Sequence, residues 1–158
     1  VSTDLIVSLG AVERLAGRIA LLGDMDTRPL MDEIGELGES QTKRRIDEEK
    51  TAPDGSAWPA WSESYAATRH SGHSLLEADG NLLDSIDHVV GINGDFVEWG
   101  SNLVYAGTHQ NGLDMSVIGS RRRITVPART FLGLSDENEE DLAALVDDFV
   151  DRQLEALQ

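Results

Sequence analysis

The side chains of this sequence that could do chemistry are four histidines, 29 acids and a run of three arginines. Metal binding comes first, because histidine nitrogen and carboxylate oxygen are common ligands. His70 and His73 fall in a serine- and glycine-rich turn, and neither His88 nor His109 supplies the helical or turn spacing of a ligand set. No metal site is expected. Ser101, His109 and Asp114 are the residue types of nucleophilic hydrolysis, yet no nucleophile elbow presents the serine. Carboxylate pairs are uninformative among so many acids. Gly107, Gly112 and Gly119 have the wrong spacing for a phosphate cradle and no following Lys-Ser or Lys-Thr. The expectation is therefore a chain without catalytic residues or cofactor, and not an enzyme.

His109 has a better structural use, its ring hydrogen-bonding backbone within a corner from Tyr105 to Gly112. The run Arg121-Arg122-Arg123 has three readings: docking onto an acidic surface of an identical or adjoining subunit, contact with DNA phosphate, or balance of local acid. Alternation along a strand would divide its side chains between two faces.

These residues need elements to hold them. A chain of 158 residues, 40% hydrophobic and 27% charged, is expected to be one globular domain over 1–158. Its formal charge of −16 disfavours free nucleic acid and anionic lipid as partners. The lack of cysteine excludes a disulfide framework and thiolate metal ligands. No apolar run approaches membrane-spanning length, and no basic-then-apolar leader opens the sequence, so the chain is expected to stay in the cytoplasm where it is made, with no membrane partner.

Residues 4–9 read as a short strand. Val12, Leu15, Ala16, Ile19 and Leu22 then share one helical face. A second helix starts with Thr27 as cap and Pro29 in its first turn and carries Leu30, Ile34, Leu37, Gln41 and Ile46 toward Lys50. Gly35 and Gly38 in it mark either close approach of a neighbour or a tolerant surface. Pro53-Asp54-Gly55 is a turn, and Trp58, Trp61 and Tyr65 form a ridge for core packing or for a partner, over a short helix from Ser62 to about Arg69. Strands are expected near 86–92 and 95–100, joined at Asn93-Gly94, and near 122–126, ending at Pro127; Leu113 to Arg121 reads as an exposed loop. Ser135 caps a final helix whose stripe is Leu142, Leu145, Val146, Phe149, Leu154 and Leu157. The class is α+β: a small antiparallel sheet packed with an N-terminal helical pair and a C-terminal amphipathic helix.

Four segments occur in an order that resembles one family. They are Pro53-Asp54-Gly55-Ser56-Ala57-Trp58-Pro59, then Leu75 to Ile86 with its Leu-Leu, Gly and Ser-Ile, then Tyr105-Ala106 to His109-Gln110-Asn111-Gly112, then Pro127-Ala128-Arg129-Thr130-Phe131-Leu132-Gly133. Together they resemble the phage virion morphogenesis proteins, which include tail completion proteins. Thr130 departs from the pattern, where the family often has a second proline.

The resemblance implies a structural protein of the virion neck that completes or terminates the tail and enables head-tail joining. It implies a homo-oligomeric ring, a hexamer, with adjoining neck, connector, tail-tube or sheath proteins as neighbours and genomic DNA passing through the lumen without sequence-specific binding. An alternative is a transient capsid or virion assembly factor not retained in the mature particle. Trp58, Tyr105, His109, Gly112, Pro127, Arg129 and Phe131 are expected to hold the framework, and Arg121, Arg122 and Arg123 to dock neighbouring subunits.

Overall fold

The computed structural model describes residues 25–121 and 123–156. The expected strand near 4–9, the first helix of the N-terminal pair, Arg122 and Leu157 lie outside them. The class is α+β. In order come α1 (Arg28–Arg44), a π-helical turn (Arg45–Glu49), α2 (Glu63–Ala66), α3 (Asn81–Asp84), β1 (Ile86–Val90), β2 (Val97–Ser101), α4 (Ala106–Asn111), β3 (Leu113–Ser116), β4 (Arg123–Val126) and α5 (Asp136–Ala156). The strands make two separate two-stranded sheets, β1 with β2 and β3 with β4. The chain divides into two compact units, one built from Thr42–Ile86 and Gly100–Gly133, the other from residues 25–41, Asp87–Trp99 and residues 134–156.

In the second of these units α1 and α5 run antiparallel. Gln41 Nε2 donates to Asp141 at 3.2 Å, and Arg152 pairs with Glu33 at 2.6 Å, so advance along one helix is retreat along the other. Their apolar stripes supply buried Leu30, Ile34, Leu142, Val146 and Phe149, while Leu154 at the far end is exposed. Ser135 caps α5 reciprocally with Asn138: the Asn138 N–H donates to Ser135 Oγ at 3.2 Å and the Ser135 N–H to Asn138 Oδ1 at 3.3 Å. At α1 the expected cap is shared differently. Asp26 Oδ1 accepts the Arg28 N–H at 3.0 Å, whereas the Thr27 hydroxyl donates to the Gly94 carbonyl at 2.7 Å and ties the helix start to the β1–β2 turn.

That hairpin forms where Asn93-Gly94 predicted it, but its strands stop at Val90 and resume at Val97. A turn closed by the Gly94 N–H on the Gly91 carbonyl takes up the intervening residues. The two helix glycines have a packing role. A Cβ at Gly35 would overlap the His88 ring, and one at Gly38 would stand 2.6 Å from the Trp99 ring. The strands therefore lie close against α1, which decides the earlier choice in favour of close approach.

In the other unit the π-helical turn buries Arg45 and Ile46 and ends at Lys50 in the left-handed conformation. The sheet of β3 and β4 corrects the sequence reading in two respects. Leu113 to Ser116 is a strand and not loop, paired antiparallel as Leu113 with Val126 through Ser116 with Arg123. The strand near 122–126 pairs with it and does not extend the β1–β2 hairpin. Gly119, read as part of an exposed loop, makes the reversal from Val117 to Ser120 with a φ of 78°.

Candidate functional site

The segments that carry the resemblance converge in the unit built from Thr42–Ile86 and Gly100–Gly133. Trp58 is buried, and its indole Nε1 donates to the Thr130 carbonyl at 2.9 Å. Arg129 is buried too, with Nε on the Pro59 carbonyl at 2.8 Å and Nη2 on that of Ala60 at 3.1 Å. Its own N–H donates to the His109 carbonyl at 2.7 Å. Phe131 has no exposure. Gly112 ends α4 at φ 75°, where a Cβ would meet the Ala128 nitrogen at 2.9 Å. Only glycine lets these two stretches of backbone meet so closely.

Two polar residues that sequence reading missed lock the frame. Gln110 Oε1 accepts from the N–H groups of Phe131 and Leu132, both at 3.0 Å, and its Nε2 donates to the Leu132 carbonyl at 3.1 Å. Arg45, 1% exposed, donates from Nη1 to the carbonyls of Phe131 and Gly133 at 3.0 and 2.9 Å. The π-helical turn that aims this arginine inward has no sequence signature. For Gln110 a cue existed, its place inside the Tyr105 to Gly112 segment.

This frame borders a cavity of about 730 Å³. Trp61 and Tyr65 form one wall, in edge-to-face contact at 5.9 Å, and Tyr105 and His109 another, edge-to-face at 5.8 Å. Leu76, Pro127 and residues 124–126 of β4 also line it, together with polar residues that include Arg69, Glu77 and Asp79. The aromatic ridge is thus divided: Trp58 is core, and Trp61 and Tyr65 face the cavity. Leu76 has φ 61°, costly for a residue with a side chain. Its turn is held by the paired main chains of Ser74 and Glu77 and by Lys50 Nζ, which donates to Ser74 Oγ at 2.8 Å, the Leu75 carbonyl at 3.2 Å, Glu77 at 3.2 Å and the Ile46 carbonyl.

Among the described residues the His109 ring does not make the expected backbone bond and its buried Nδ1 has no partner; the residue holds the frame through its carbonyl. Burial, and then the Arg129 charge, push its pKa down, so the ring is neutral. Ser101 Oγ bonds Ser85 Oγ and accepts the Leu103 N–H, and Asp114 is held by Arg123 and Thr125. Among the described residues Ser101, His109 and Asp114 make no hydrogen bond with one another. Arg123 is spoken for by Asp114 at 2.7 Å, while Arg121 is exposed beside the turn.

In the unit containing α1 and α5, Glu39, Asp87 and His88 bring ligand-type atoms within 4.8 Å of one another. Both ring nitrogens of His88 face carboxylates, Nδ1 that of Glu39 and Nε2 that of Asp32 at 3.0 Å. Burial pulls the His88 pKa down, but the bonds to Asp32 and Glu39 outweigh it and leave the pKa raised. While it is doubly protonated, the ring satisfies both acids and offers no lone pair to a metal.

Among the described residues no helix is long and apolar enough to cross a membrane. A model of the phage virion morphogenesis family matches residues 7–151. A protein of Escherichia phage Mu named putative capsid assembly protein G is 31% identical over 107 residues, an alignment covering 65% of this chain and 66% of that protein, just under two thirds of its length. No solved structure matches.

Proposed function

The chain belongs to the phage virion morphogenesis family, and from that membership we propose that it is a structural subunit of the phage neck that completes the tail and lets head and tail join. It acts by fitting against copies of itself in a six-membered ring and against adjoining neck, connector or tail-tube proteins, with DNA passing through the lumen.

One observation carries this reading. The segments of the resemblance spend their polar groups on one another's main chains, as Arg129 does on Pro59 and Ala60 and Gln110 on Phe131 and Leu132. Such a frame is stiff, and it presents an aromatic-walled cavity with charged residues in its lining and an exposed hairpin. The formal charge of −16 suits a channel wall that DNA slides past. A reconstruction of the neck with a basic lumen would reject that part.

The name of the phage Mu relative, a putative capsid assembly protein, favours a second reading, a capsid or virion assembly factor, which we propose in its transient form, not retained in the mature particle. Phage lacking this chain, complemented or not, separate the possibilities. On the neck reading, the null yields filled heads and unjoined tails, and complemented particles retain the chain. Complemented particles that join normally without retaining it support the transient factor, and normal joining in the null refutes both.

A further inference from the structure

The hairpin of β3 and β4 is uncovered. All of β3 is exposed, and β4 is exposed apart from half-buried Val126. An isolated two-stranded hairpin is marginal in water. Its reversal, closed by the Ser120 N–H on the Val117 carbonyl at 3.1 Å, sets Ile118 at the crown with its full surface in solvent. Met115 and Ile124, opposite each other in the register, are exposed as well. An ordered turn that offers isoleucine to water is suited to insertion into another surface.

The same unit carries a cavity of fitting character. Its volume of about 730 Å³ has room for an isoleucine and its neighbours, and Leu76 is held toward it in a strained conformation by Lys50. Charges also match. The cavity's own cations are engaged, Arg69 over the Tyr65 ring at 4.4 Å and Arg129 on carbonyls, whereas Asp79 in its lining is exposed and has no ion pair among the described residues. The hairpin brings Arg121 next to its crown in a chain that is otherwise strongly acidic.

We propose that the β3–β4 crown of one copy enters the cavity of the next, Ile118 seating against Leu76 and Tyr105 and Arg121 approaching Asp79. This deepens the homo-oligomer reading and rests on it. The inserted and receiving surfaces are different patches, so the contact is head-to-tail and builds a ring if its rotation closes. A nucleic acid is a poor occupant, because the lining offers carboxylates and keeps its arginines engaged.

The absence of cysteine makes disulfide trapping clean. Ile118→Cys and Leu76→Cys chains, purified separately and mixed under mild oxidation, should cross-link between the two variants far more than either alone. Ile118→Asp, at an exposed position where the fold is retained by circular dichroism, should weaken assembly about 100-fold, as loss of a central anchor does. If Ile118→Asp assembles like the parent, or Ile118→Cys pairs as readily with itself, head-to-tail insertion is wrong while the oligomer reading stands. A parent chain that is monomeric in solution and single-copy in particles removes both.

Discussion

Arg45 Nη1 donates to the carbonyl of Phe131 at 3.0 Å across 86 residues of chain, joining the π-helical turn to the Pro127 to Gly133 segment. Burial draws the guanidinium pKa down, while Glu49 at 3.9 Å opposes the shift. Arg45→Met should lower the unfolding free energy by about 3 kcal/mol, because two buried carbonyls lose their donor. A urea transition measures it; a loss under about 1 kcal/mol would show that the frame does not depend on this contact.

Gln110→Leu keeps the volume and deletes the acceptor for two buried N–H groups. A loss of about 2–4 kcal/mol is expected. Hydrogen exchange should quicken at Phe131 and Leu132 before the rest of that unit. Unchanged protection there would contradict the assignment.

Gly38→Ala tests the close approach of Trp99 to α1. Helix propensity alone predicts a gain of about 1 kcal/mol, but the new methyl would sit 2.6 Å from the indole, so a net loss of about 2 kcal/mol is expected. A more stable variant would mean that the strand hairpin gives way freely.

His88, held between two carboxylates, and His109, buried beside Arg129, titrate in opposite senses. The folded pKa of His88 is raised, so its contribution is complete below the unfolded histidine pKa of about 6.5 and is lost as pH rises through the folded value. That of His109 is lowered, so its contribution is complete above the unfolded pKa and is lost as pH falls through the folded value. Proton-monitored NMR titration should place His88 above and His109 below the ordinary range, and His88→Gln should flatten the decline toward alkaline pH. Coincident titration of both rings would refute the geometry.

What was legible in the sequence was whatever local chemistry determines. Ser135 reads as a cap because its acceptor serves an N–H three residues on, and Asn93-Gly94 reads as a reversal because asparagine and glycine tolerate positive φ, which Gly94 adopts at 67°. Gly35 and Gly38 were visible but ambiguous, since their neighbours His88 and Trp99 come from a distant stretch of chain. Arg45 was illegible because its partners are main-chain groups, which every residue has, and Gln110 was marked only by its place inside the Tyr105 to Gly112 segment. Residues 113–116 were missed because both faces of β3 are exposed, so no burial alternation marks the strand.

We propose that this chain works by fitting to copies of itself. Native mass spectrometry of the purified protein over a range of concentrations tests it most directly. A closed assembly of six subunits, which loses mass stepwise on dilution, is the predicted result. A single chain at every concentration, with no higher mass in lysates of infected cells, would contradict it.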